Sequence, residues 1–174
     1  MMQLWVFLAI MMSMFAAIGF MRGYTKELVA MAGLVLALFT LKQFELLVID
    51  PLAGGKQSSK FYLQATILIV MAFFSYQTPT ETFAKLPDRK GFQDGVLGFL
   101  VGAFNGYLLF GSLWWYMDTL EYPFSPNIIA PLDPASTSAK MVDILPLTWM
   151  LSGDGSVLSL MMIGCFVFII VVVV

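Results

Sequence analysis

Long stretches of this chain carry no charge, and its charges fall between them. Residues 2–21 form the first run, apolar apart from Gln3 and Ser13. A second covers 27–49, with Lys42 and Glu45 interrupting its latter half. A third covers 61–77 and stops at Thr78-Pro79. Residues 95–117 are uncharged throughout, and a fifth run covers 157–174. Hydrocarbon about 30 Å thick needs roughly 20 apolar residues of helix to cross it. The pattern therefore predicts an all-α polytopic integral membrane helical bundle, one membrane domain over 1–174 with four to five transmembrane helices.

The boundaries follow from local chemistry. Residues 2–21 lack a basic leader and an A-x-A site, so they are expected to remain as the first span. Trp5 near one end reads as an interfacial anchor. Asp50-Pro51 ends the second run, because the residue before proline avoids the helical region. Residues 53–59 read as a flexible linker by composition. Asp94 is placed to N-cap the fourth span, and Trp114-Trp115-Tyr116 read as an aromatic belt at its far end. The loop 118–154 contains Pro123, Pro126, Pro131 and Pro134, so no continuous helix fits there. Residues 144–151 are apolar but too short to span, which predicts that they lie at the membrane interface. Arg22, Lys26, Lys85, Arg89 and Lys90 follow the first and third spans, against Lys56, Lys60, Lys140 and edge-lying Lys42 after the others. That balance leans toward an N-terminus outside and the 118–154 loop in the periplasm or at the interface.

Composition strengthens the membrane reading. The chain is 60% hydrophobic and 11% charged, where a soluble domain has about 25%. Its mean hydropathy is +0.88. Net charge is −2 with no basic stripe, which argues against nucleic acid. There is no histidine, and Cys165 is the sole cysteine. An internal disulfide is excluded, no cofactor is expected, and carboxylates and carbonyls alone remain as metal ligands.

Two glycine patterns stand out. In Gly19-Phe20-Met21-Arg22-Gly23-Tyr24-Thr25-Lys26-Glu27, Gly19 and Gly23 share a helical face where another helix can come close. Arg22 can snorkel to the headgroups, and Glu27 is placed to pair with Arg22 or Lys26. The stretch reads as a tight charged turn between two spans. In the fourth span Asp94, Gly98, Gly102 and Gly106 recur every four residues, a helix-packing row whose partner is this chain or another copy. Asn105 reads first as an interhelical hydrogen bond and second as a pathway residue. Gly19–Tyr24 and Gly102–Tyr107 both read G-x-x-[R/N]-G-Y, which we take as coincidence.

These residues carry a resemblance. Gly19-Phe20, Arg22-Gly23 and Glu27, followed by Gly33, resemble the N-terminal signature of the colicin V production (CvpA) family. Asp94, Gly98, Gly102, Asn105 and Gly106 are similar to its second signature. Gly95 and Asn105 stand where that pattern usually has basic residues. The resemblance covers about residues 1 to 120 and, more loosely, the loop up to Pro146. It implies a multi-pass protein of the bacterial inner (cytoplasmic) membrane, linked to toxin production, export or envelope homeostasis. It supplies no catalytic residues.

Three functions are then open. The first is a non-enzymatic accessory protein contacting lipids and either a second copy or an export or envelope partner. The second is a small oligomeric transporter or channel, for which Glu27, Lys42, Glu45, Asp94 and Asn105 are the polar candidates. The third is an enzyme. Asp118 and Glu121 would share a helix face if that helix continues, and Asp133, Asp143 and Asp154 read as solvated loop charges. Gly153-Asp154-Gly155-Ser156 does not match the G-x-S-x-G elbow. The sequence favours the accessory reading, with no catalytic residue.

Overall fold

The computed structural model describes residues 3–77, 91–125, 128, 130–131, 136–152 and 155–173. All regular elements among them are helical. They are α1 (Leu4–Arg22), α2 (Tyr24–Gln43), a π-helical stretch (Glu45–Ile49), α3 (Asp50–Ala53), α4 (Gln57–Tyr76), α5 (Phe92–Thr119), α6 (Thr137–Val142), α7 (Pro146–Met150) and α8 (Ser156–Val173). Four of them, α1, α2, α4 and α5, are long and apolar enough to cross a membrane, and α8 has a shorter described apolar stretch, Ser156–Phe168. The chain thus has the form of a helical membrane protein.

α2 is the central helix, packed by α4, α5 and α8. Its buried residues include Ala30, Ala32, Leu34, Val35, Ala37, Leu38 and Leu41. The alanines let neighbouring backbones approach, which matters where lipid tails are as apolar as leucine and association depends on close packing. The leucines meet Leu68 and Ala72 of α4, Leu108 and Leu109 of α5, Leu147 and Met150 of α7, and Leu158 of α8. α1 lies outside this core and packs chiefly on α5. The outward surfaces are apolar too, with Phe73 and Phe74 on α4, Leu100 on α5 and Leu160 and Phe166 on α8 all exposed. That is the pattern of helices bathed in lipid.

Several expectations change. The second span does not run to residue 49 as one α-helix. It ends at Gln43, and the hydrogen bonds of Val48 and Ile49 both fall on the Phe44 carbonyl as the chain widens into the π-helical stretch. The linker is shorter than 53–59, because Ala53 still belongs to α3 and α4 begins at Gln57; Gly54 and Gly55 make the turn with φ of 59° and 73°. Gly91, not Asp94, occupies the N-cap of α5.

The aromatic belt is also corrected: Trp114 and Tyr116 are 4% and 5% exposed and point into the bundle. Residues 144–151 include the short helix α7, whose inner face packs against the bundle. Pro146, Leu147 and Met150 are buried, with Pro146 against Gly111 of α5. Trp149 Nε1 donates to Tyr107 Oη at 3.0 Å, and Tyr107 Oη in turn donates to the Ile144 carbonyl. Asp118 and Glu121 do not share a helix face, since α5 ends at Thr119 and Glu121 and Tyr122 take positive φ. Glu81, Lys85, Asp88, Arg89, Lys90, Pro126, Asp133, Pro134 and Asp154 lie outside the described residues.

Candidate functional site

The site is built on the close approach of α1 and α5. Gly19 faces Gly98 and Gly102, while Gly106 faces Met12 and Phe15, so the two helices run antiparallel. A Cβ on Gly19 would overlap the Gly98 carbonyl, and one on Gly102 would overlap the Phe15 carbonyl. Only hydrogen fits at these positions. The glycine row of the fourth span therefore serves this chain's own α1. Gly33 does the same for α2 and α4, where a Cβ would strike the Ser75 side chain.

The tight antiparallel contact brings the charged turn onto α5. Gly23 separates α1 from α2 with φ of 84°, a conformation that glycine adopts without strain. α2 has no side-chain cap of its own. Asp94 of α5 supplies one instead: its Oδ1 accepts from the Tyr24 backbone N–H at 3.3 Å. A carboxylate at this position complements the positive end of the α2 dipole.

Glu27, one turn into α2, is fully buried. Arg22 donates to Glu27 Oε1 at 2.6 Å. Tyr76 Oη donates to Oε2 at 3.0 Å, and Asn105 Nδ2 donates to the same oxygen at 2.8 Å. Asn105 Nδ2 also reaches the Glu27 carbonyl at 3.0 Å. Arg22 has two more partners on α4: it donates to the Tyr76 carbonyl at 2.9 Å, and its guanidinium lies 4.5 Å from the Tyr76 ring centre. Phe15 closes the other side with an edge-on contact to Tyr76. Four helices thus meet on one carboxylate. A charge buried in a bundle is costly unless paired and hydrogen-bonded, and Glu27 is both. Lys26 is not its partner.

Of the residues the sequence singled out, Gly19, Arg22, Gly23, Glu27, Asp94, Gly98, Gly102, Asn105 and Gly106 converge on this region; Gly33 lies apart, on the face of α2 that meets Ser75 of α4. The two G-x-x-[R/N]-G-Y segments meet here, since Arg22 and Asn105 hold the same carboxylate. Sequence reasoning missed Tyr76. Its position at the last turn before Thr78-Pro79 was the available signal, but a span-end tyrosine also reads as an interface anchor.

A second charge cluster lies past the other end of α2. Glu45 bridges Lys42 at 3.2 Å and Lys60 at 2.8 Å, and Lys60 reaches Asp50 at 2.8 Å. Burial pushes the Glu45 carboxyl up, but the bonds from Lys60 and Lys42 outweigh it and hold it below the usual carboxylate range. Beside it is a cavity of about 10 Å³, lined by Leu41, Glu45, Gln64, Tyr116 and Leu147 among others, with room for one water. Among the described residues no three His, Cys, Asp or Glu side chains form a metal cradle. Comparison with protein-family models, curated proteins and solved structures finds no match.

Proposed function

We propose that this chain is a non-enzymatic accessory protein of a bacterial inner membrane, supporting toxin export or envelope homeostasis as the resemblance to the CvpA family implies. The observation that supports it is how the conspicuous polar groups are used. Arg22, Glu27, Tyr76, Asn105 and Asp94 all bond to one another or to backbone, and they tie α1, α2, α4 and α5 together. The cavity beside Glu45 holds one water at most, so it offers no passage for a solute. A rigid bundle with broad apolar outer faces suits a protein that works by contact with lipids and membrane partners.

The test is purification of the tagged chain in native-lipid particles, with mass spectrometry of what is retained. A stoichiometric export or envelope component is the expected result. Recovery of this chain with no other protein would overturn the reading.

One observation favours a second function. An ionisable group inside a membrane span is the default pointer to a transport pathway, and Glu27 is such a group. Under this reading, a small transporter moves ions or solutes past Glu27 after the Arg22 contact opens. Reconstituted protein should then support flux that Glu27→Gln abolishes; absence of flux across ions and small solutes would sink it.

A further inference from the structure

The surroundings of the Arg22 side chain make a ligand site. The guanidinium meets a buried carboxylate, a helix-terminal carbonyl and an aromatic face, supplied by Glu27 and Tyr76. This is the set of groups that recognises a free guanidinium ion. The carboxylate and carbonyl accept from separate N–H groups of the planar fork, and the ring stacks on the plane. An ammonium ion matches it less well, being compact, strongly hydrated and without a face to stack.

Asn105 completes the cluster. Asn105 is fully buried, and its Oδ1 has no hydrogen-bond partner among the described residues. The Nδ2 on the same amide donates to both Glu27 Oε2 and the Glu27 carbonyl, so Asn105 holds the carboxylate in place for whatever cation faces it. The Arg22 side chain is 21% exposed, whereas Glu27 is sealed. Arg22 is thus the accessible member of the pair and Glu27 the enclosed one.

We propose that Glu27, Tyr76 and Asn105 form a binding site for small guanidinium compounds, occupied in this structure by the chain's own Arg22. A ligand that takes this place frees Arg22 from α4. Binding is thereby coupled to the turn between α1 and α2. The inference stands whether the chain is an accessory protein or a transporter, since it concerns what the site recognises.

The test is chemical rescue in the full chain. Arg22→Ala is purified in detergent and titrated with guanidinium chloride at millimolar concentration, well below denaturing levels. Sodium chloride and methylammonium chloride at matched ionic strength run beside it. Thermal unfolding is followed by tryptophan fluorescence and binding by calorimetry. The expected result is a saturable rise in Tm with guanidinium alone, about 3–6 °C at roughly ten times its Kd. The rise should vanish in the Arg22→Ala, Glu27→Gln double variant. Equal responses to the three salts, or a fall in Tm with guanidinium, would overturn the proposal. Arg22→Met, which keeps the apolar stem, is run in parallel against loss of folding. If neither variant is recovered folded even with guanidinium present throughout extraction, the site cannot be filled from outside and the proposal fails.

Discussion

α2 has a carboxylate cluster at each end, and the two differ in water. At one end Glu27 is fully buried and shares a single cation, Arg22, with two neutral donors from other helices. At the other, Glu45 is 24% exposed and shares two lysines, with Asp50 competing for one of them. Every donor at the dry end has a defined place, because a missing one would leave a buried charge uncompensated. At the wet end water can replace any partner, and exposed ion pairs contribute little. The dry end should therefore be specific and fragile, and the wet end tolerant.

The most damaging way to test this contrast is to force α1 off α5. Gly102→Leu places a side chain where the Phe15 carbonyl and Gly19 backbone already sit. Overpacking usually costs about 1–3 kcal/mol, and more where the obstacle is backbone. We expect a Tm lower by about 6–12 °C or more, or loss of a monodisperse species in detergent. Gly164→Leu on α8 is the control, since nothing lies within 4 Å of its added Cβ. Equal Tm values for the two variants would refute the role assigned to the glycine row.

The next effect isolates the charges. Glu27→Gln keeps the shape but leaves Arg22 without its counter-ion. Breaking a buried pair costs about 3–5 kcal/mol; because Arg22 can partly turn to water, we expect the lower end of that range. Glu45→Gln should cost less than about 1 kcal/mol. Unfolding of both variants in the same detergent measures the ratio. Comparable losses would remove the distinction between dry and wet ends.

Much of the dry end was legible because its constraints are local and periodic. Gly98, Gly102 and Gly106 announce a close helix contact by spacing alone, and Arg22 and Glu27 sit across a turn only five residues apart. What the spacing could not give was the partner. Any helix can fill a glycine face, and only the fold shows that α1 does so. Tyr76 was illegible for a similar reason, since 49 residues separate it from Glu27. The packing of α7 was illegible because shortness and apolarity do not say which helix a segment rests on. Gly111 of α5, which lets Pro146 approach, sets that contact. The π-helical stretch had no sequence signal we can name.

Asn105 offers a finer probe of the dry end. Asn105→Leu removes the donor to Glu27 Oε2, and also the unpaired Oδ1. Those two effects oppose each other, so a loss of about 1–2 kcal/mol is expected. Asn105→Asp sets a second carboxylate against Glu27 and should cost more than leucine. Unfolding midpoints ranked with leucine below aspartate would show that the amide does not act as a donor to a charged Glu27.

The smallest effect belongs to the wet end and is read through pH. The Glu45 carboxyl is held below its ordinary value of 4.5. A carboxylate with a depressed folded pKa stabilises the protein above its unfolded pKa, and that contribution disappears as pH falls through the folded value. Lys60→Met removes the cation that bridges Glu45 and Asp50. Its cost should be below about 1 kcal/mol at pH 7, unchanged down to about pH 5, and should shrink as the medium becomes more acidic than Glu45 tolerates. Unfolding of wild type and Lys60→Met across this range gives the difference directly. A cost that stays constant into strong acid would mean that the ammonium of Lys60 does not act through an ionised Glu45, and the assignment of the wet end to ion pairing would fail.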